Sequence, residues 1–191
     1  VLDRPLPQVT LVDLRQELQD GNFSVLSRRL REAIADRLAA KEKIILFLNR
    51  RGFATFVNCR QCGYILECDR CKVSLTYHAD GQARCHYCGK NISPPKTCPV
   101  CGSPYFKFFG TGTQKVEAEL QKYFGQAKIV RMDKDSVQKR TSHADLLKEF
   151  STGEADILLG TQMIAKGHDF PGVTLVGIIS ADVSLHIPDF R

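Results

Sequence analysis

The chain is expected to be an α/β protein: a mostly parallel sheet flanked by helices and interrupted by a small cysteine-rich module with two zinc ions and a β-hairpin. Three observations lead there. Apolar runs of strand length alternate with segments of helical periodicity. All eight cysteines fall into four C-x-x-C pairs inside the segment 59–101. The composition, 43% hydrophobic and 25% charged with no tryptophan, is that of an ordinary globular chain. A length of 191 residues suits one compact domain, or one domain carrying a small graft.

The elements follow in chain order. Residues 9–14, after Pro5 and Pro7, read as a strand. Ser24 or Ser27 is placed to cap a helix whose Leu26, Leu30, Ile34 and Leu38 form one apolar stripe. The continuous apolar run 44–48 is expected to be a strand covered on both faces. Residues 106–109 read as another short strand, and Gly110-Thr111-Gly112-Thr113 turns into a helix carrying Val116, Leu120 and Phe124. Residues 128–132 form a strand, 143–150 a helix, and 157–159 and 173–179 two buried strands. Residues 59–101 interrupt this series, so 1–58 and 102–191 are expected to form one discontinuous lobe around them.

Several function classes lose ground at once. The longest apolar run, 44–48, is far too short to cross a bilayer. The first ten residues carry Asp3, Arg4 and two prolines, unlike a secretory leader. The formal charge of +6 suggests a nucleic-acid partner, but two divalent ions held by eight thiolates would remove four of those charges. Any basic surface must then come from local clusters such as Lys41, Lys43, Arg50 and Arg51.

The cysteines speak most directly. Two residues between thiolates let one tight turn aim both sulfurs at a common ion, so each pair supplies half of a tetrahedral site. Glycine follows three of the four pairs, at Gly63, Gly89 and Gly102, where a turn needs positive φ. Between Cys71 and Cys85, Val73, Leu75 and Tyr77 alternate with polar residues before Ala79-Asp80-Gly81, which reads as a hairpin. That hairpin would return Cys85 and Cys88 beside Cys68 and Cys71, leaving Cys59, Cys62, Cys98 and Cys101 to close an outer site. Sequential pairing is the alternative, with a cramped spacer between Cys62 and Cys68.

A disulfide framework is disfavoured in a chain with core-forming periodicity and no export signal. A thioredoxin-like motif uses one C-x-x-C rather than four, and an iron–sulfur cluster shares the Cys₄ donor set. Four thiolates per ion make a zinc structural rather than catalytic. His78 and His86 are then expected on the module surface. Tyr64, Tyr77 and Tyr87 either pack around the metals, the expected role, or stack on exposed bases.

No G-x-x-x-x-G-K-[ST] phosphate loop is present, and no acidic pair follows a strand as a magnesium site would require. Gly110-Thr111-Gly112-Thr113 is expected to be a helix-entry turn, with a backbone contact to DNA as the other reading. Asp133 and Asp135 are expected on a solvated face. The inventory is that of half an active site.

Two stretches carry a family resemblance. Ile45-Leu46-Phe47-Leu48-Asn49-Arg50-Arg51-Gly52 resembles motif IV of superfamily 2 helicases in the form found in the PriA family. Gly160-Thr161-Gln162-Met163-Ile164-Ala165-Lys166-Gly167-His168-Asp169-Phe170-Pro171 resembles motif V of that family. The eight-cysteine segment stands between them, as it does in the second helicase lobe of these proteins. The resemblance implies a RecA-like lobe 2 with an inserted two-zinc module. It further implies that the lobe is part of an ATP-dependent 3′→5′ DNA helicase of bacterial replication restart, cytoplasmic and acting at forks.

The family's first lobe, its N-terminal DNA-binding region and its arginine-rich motif VI have no counterpart here, so the resemblance implies a fragment that hydrolyses no ATP alone. It implies further that Gly167 and Asp169 face nucleotide across the lobe cleft. Thr161, Gln162 and Lys166 would meet DNA phosphates, although Lys166 reads equally as a solvated lysine. Arg50 and Arg51 would face DNA or the other lobe, with a surface turn as the alternative. ATP and Mg²⁺ would serve the intact enzyme. Branched and single-stranded DNA, the missing domains, primosome proteins and single-strand binding protein would be its partners. A non-enzymatic zinc-ribbon module that binds nucleic acid is the competing class.

Overall fold

A computed structural model describes residues 6–48, 57–78, 80–108, 112–133, 143–161, 164 and 170–181. Its centre is a four-stranded parallel sheet in the order β7-β8-β1-β9, with β1 at Lys43–Leu48, β7 at Ile129–Met132, β8 at Ile157–Gly160 and β9 at Val173–Ile179. The middle strands β1 and β8 are covered on both faces, which explains their continuous apolar runs. The edge strand β9 is not the buried strand expected of 173–179: one of its faces has no covering element among the described residues, and Val176 and Ile178 are 59% and 58% exposed. On one face, Ile44, Leu46, Leu48, Ile157, Leu159 and Ile179 pack against Leu26, α2 (Arg28–Ala39) and α3 (Thr113–Tyr123). On the other, Val130, Met132 and Leu158 pack against Phe150 of α4 (His143–Thr152) and against Ile164.

Ser27 takes the cap of α2, its side chain accepting the Leu30 amide, while Ser24 lies outside the helix. Leu30 and Ile34 supply the stripe that meets the sheet, and Leu26 packs beneath them from before the first turn. The helix lies close. A Cβ at Gly177 of β9 would come within 2.9 Å of Leu30 Cδ1 and 2.7 Å of Leu46 Cδ2.

Lys43 joins the far side. Its Nζ donates to the carbonyls of Phe150 and Ser151, each at 2.8 Å, at the end of α4. A cation there satisfies carbonyls that the helix itself leaves free. Lys43→Met is expected to lower stability by about 1–2 kcal/mol, read as the shift in a urea unfolding midpoint.

Residues 9–14 do not form the expected strand. Residues 9–13 pair with no described strand, and Val9 and Leu11 are 85% and 91% exposed. Leu14 instead begins a short helix, α1 (Leu14–Gln19), capped by Asp13. Hydrogen bonding to Arg15 holds the Asp13 carboxyl down at about 2. The cap therefore persists above the ordinary carboxylate range and is lost as pH falls through about 2. Residues 106–108 do form a strand, β6, but outside the main sheet. β6 (Phe106–Phe108) pairs antiparallel with β2 (Val57–Cys59), and this two-stranded ribbon ties together the chain entering and leaving the cysteine-rich segment.

Within that segment, β3 (Thr76–Tyr77), β4 (Ala83–Arg84) and β5 (Asn91–Ile92) make a three-stranded antiparallel sheet. The expected hairpin joins β3 to β4. Gly81 turns it at φ +82°, and Asp80 accepts the Gln82 amide at 3.1 Å. Among the described residues no helix is long and apolar enough to cross a membrane.

Candidate metal centre and strand-end site

The four C-x-x-C turns are built alike. The amide of the residue after each pair, Gly63, Lys72, Gly89 or Gly102, donates to the carbonyl of the pair's first cysteine at 2.9 Å. Three of these residues are the glycines. The fourth, Lys72, adopts φ +55° without the benefit of lacking a Cβ.

The turns bring eight sulfurs into two groups. Cys59, Cys62, Cys98 and Cys101 form one and Cys68, Cys71, Cys85 and Cys88 the other, all sulfurs of a group lying within 4.8 Å of each other. Cys59–Cys101 and Cys62–Cys98 are 3.6 Å apart and Cys68–Cys88 3.7 Å. A tetrahedron with Zn–S bonds of about 2.3 Å requires sulfurs about 3.8 Å apart. A disulfide requires about 2.05 Å, and all eight cysteines are free. Each group therefore has the dimensions of a site for one tetrahedral ion.

Electrostatics agree with that chemistry. The Cys88 and Tyr87 amides hold the Cys85 thiol down at about 7. Burial opposes ionisation of Cys98, yet the Cys101 and Val100 amides and the neighbouring thiols bring it to about 7. The Cys71 thiol is pushed up to about 12, first by its hydrogen bond with Cys88 and then by burial. At Cys101 the Ser103 amide favours the thiolate, but burial and the surrounding thiols outweigh it and push the group up to about 12. One thiol in each group, Cys98 and Cys85, is thus held low while Cys101 and Cys71 are pushed up, a split that a cation among the four sulfurs would remove.

Little apolar material supports this module. Val57, Leu66, Leu75 and Ala83 are buried together with Cys59, Cys68, Cys85 and Cys98, and Tyr64 and Tyr77 pack against them. Tyr87, by contrast, is 58% exposed. The surface expectation holds for His86 but not for His78, which is half-buried with its ring 5.4 Å from that of His86.

A second cluster forms at the carboxyl edge of the parallel sheet, where ligands bind in open α/β folds. Gly160 ends β8 beside both Phe47 and Met132, and Thr161 follows it, half-buried. A Cβ at Gly160 would come within 2.9 Å of the Met132 carbonyl and of Ile164 Cγ2, so the bare backbone is what lets the strand end sit there. Gln162, Lys166, Gly167, Asp169, Arg50, Arg51, Asp135, Gly110 and Thr111 lie outside the described residues.

Asp133 corrects its expectation. It is buried at 8% exposure, not solvated, because Thr113 at the start of α3 donates to its carboxylate and Arg131 Nε lies 3.5 Å away. Arg131 also faces Glu117 of α3 at 3.4 Å. This network pins the entry of α3 to the end of β7. Sequence reasoning missed it because Thr113 and Asp133 are distant in the chain and each looks like a loop residue.

Arg60, inside the first cysteine pair, was missed too. It is half-buried, and burial lowers its pKa.

The cysteine-rich segment matches the PriA DNA helicase Cys-rich region domain over residues 68–92, and residues 107–188 match the helicase conserved C-terminal domain, a RecA-like lobe. The chain is 54% identical over 189 residues to the replication restart protein PriA of Bacillus subtilis, covering 98% of this chain and 24% of that protein. It is 50% identical to the protein of the same name from Synechocystis, covering 100% and 24%. Against the Treponema pallidum protein of that name it is 44% identical, covering 97% and 27%. The chain thus spans about a quarter of the length of these curated relatives.

Proposed function

We propose that this chain, which is similar to PriA proteins over the stretch it spans, forms the second motor lobe, with its metal module, of an ATP-driven DNA helicase. That enzyme moves 3′→5′, opens stalled or branched replication forks and begins primosome assembly in the bacterial cytoplasm. The lobe comprises 1–58 and 102–191, and the inserted module 59–101. The observation that carries the reading is the joint occurrence of two Cys₄ clusters and a parallel helicase-type sheet in one chain with PriA-like sequence from end to end.

In the module, Cys59, Cys62, Cys98 and Cys101 hold one Zn²⁺ and Cys68, Cys71, Cys85 and Cys88 the other. The ions supply cross-links in place of a hydrophobic core too small to fold unaided. On the lobe, Thr161, Gln162 and Lys166, with Arg50 and Arg51, hold the phosphates of a DNA strand without reading its bases. Gly167 and Asp169 face nucleotide, which binds with Mg²⁺ chiefly to another lobe, since this sequence has no phosphate loop of its own. The Asp133–Thr113 contact holds the α3 entry beside this strand-end edge. Branched DNA, single-strand binding protein and primosome proteins are the partners of the whole enzyme.

The 191 residues alone are expected to release no phosphate from ATP and to bind forked DNA with an affinity that falls steeply with salt. In the complete protein, ATP hydrolysis stimulated by DNA and coupled to strand separation is the expected result. Fork binding without strand separation there would favour the competing class, a nucleic-acid-binding zinc ribbon on an α/β domain.

A further inference from the structure

Arg60 sits in the turn between Cys59 and Cys62, but its guanidinium serves the lobe. Nη1 donates to the Phe23 carbonyl at 2.8 Å and Nη2 to the Ser24 carbonyl at 3.0 Å. Its own amide donates to the Tyr105 carbonyl at 3.0 Å, and the Tyr105 ring lies 5.5 Å from the ring of Phe23. The entering and leaving strands of the cysteine-rich segment therefore both converge on residues 23–24.

The opposite flank of that short segment is also held. Glu119 of α3 accepts from Ser24 Oγ and, at 3.1 Å, from the Val25 amide. Two carbonyls on one side, and a hydroxyl and an amide on the other, fix residues 23–25 between a metal-cluster turn and a lobe helix. A planar guanidinium can meet two successive carbonyls with a fixed angle between them, which an ammonium on a flexible stem cannot do.

We propose that Arg60 is a positioning residue that locks the two-metal module to the parallel lobe as one rigid body. Resting on the helicase reading above, the consequence is that displacement of the lobe during a nucleotide cycle is delivered to the module, and through it to the fork, without slack.

The test uses the zinc-loaded chain and NMR residual dipolar couplings. One alignment tensor is expected to fit the amides of both β7-β8-β1-β9 and β3-β4-β5 in the unaltered protein, and two independent tensors there would overturn the proposal whatever any variant does. Arg60→Ala is expected to keep both ions by elemental analysis, to split the tensors and to speed exchange of the Val25 amide at least about tenfold. Arg60→Lys should recover only part of the shared alignment. A single tensor persisting in a metal-replete Arg60→Ala would defeat the assignment.

In the complete enzyme, the same alanine variant should lose at least about tenfold in fork unwinding while hydrolysis stimulated by single-stranded DNA stays within about twofold. Equal loss of both would mean a general defect rather than lost positioning. If the unaltered enzyme separates no strands, the helicase reading fails and the tensor result alone decides the rigid coupling.

Discussion

Serine in place of Cys68 is expected to remove one of two metal ions per chain and to unfold residues 66–92, while the parallel sheet keeps its protection from hydrogen exchange. Cys68 is 1% exposed at the centre of the inner group, and its sulfur lies 3.7 Å from that of Cys88. A serine hydroxyl in that place is a poor ligand for a thiolate-selecting ion. The strands around it, Thr76–Tyr77, Ala83–Arg84 and Asn91–Ile92, are two residues each and do not persist as a sheet without a cross-link. Structural zinc in small modules contributes on the order of 10 kcal/mol or more, which exceeds what the few buried side chains here can replace.

The lobe should be spared. Its two hydrophobic clusters contain no residue of the module. The outer cluster should keep its ion too, since the β2–β6 ribbon brings its two halves together independently of the hairpin. Elemental analysis reading one ion per chain, with fast exchange in 66–92 and slow exchange in Ile157–Gly160, is the expected outcome. Two retained ions, or loss of protection in β8, would contradict it.

The parallel sheet was legible because β1 and β8 are apolar on consecutive residues, which only a doubly covered strand tolerates. Both cysteine groups were legible for another reason: ligand spacing is local, and a hairpin between the inner pairs leaves one economical arrangement. What escaped was set by tertiary contact. Val9 and Leu11 alternate like a strand, but no described strand pairs with them, and they are exposed. The α1 signal was present, with Asp13 as cap and Leu14 and Leu18 four apart, yet it was overshadowed by that alternation. Residues 106–108 have strand character, but their partner is Val57–Cys59 across the whole inserted segment, which no local pattern encodes. Arg60, Glu119 and Asp133 are charged residues whose importance lies in partners far along the chain.

Phe150→Ala is expected to lower the stability of the lobe by about 3–5 kcal/mol, measured as the change in unfolding free energy by urea titration. The ring is fully buried in the second cluster, with Met132, Leu158 and Ile164 among its companions, and meets the Phe170 ring edge-on at 5.1 Å. Lys43 Nζ also lies 5.5 Å from its centroid while bonding the carbonyl of the same residue. Removing the ring leaves a cavity that rigid neighbours on β7 and β8 cannot close, and it strands the hydrocarbon stem of Lys43 beside the gap. The lysine–carbonyl bonds survive, because they belong to the backbone, so α4 should remain helical by circular dichroism even as the midpoint falls.

Ile164 and Phe170 bracket the stretch that carries Lys166, Gly167 and Asp169, and both belong to the cluster around Phe150. On the proposed helicase reading, in which that stretch meets DNA, the substitution should weaken DNA binding by the folded protein as well as its stability, although Phe150 itself is buried. Phe150→Leu refills most of the volume and should recover both properties together. If leucine restores stability but not binding, the aromatic edge against Phe170 matters for the placement of that stretch beyond simple filling of space. A loss below about 1 kcal/mol in Phe150→Ala would instead mean that the cluster collapses around the gap, and that the second face of the sheet is less rigid than its packing implies.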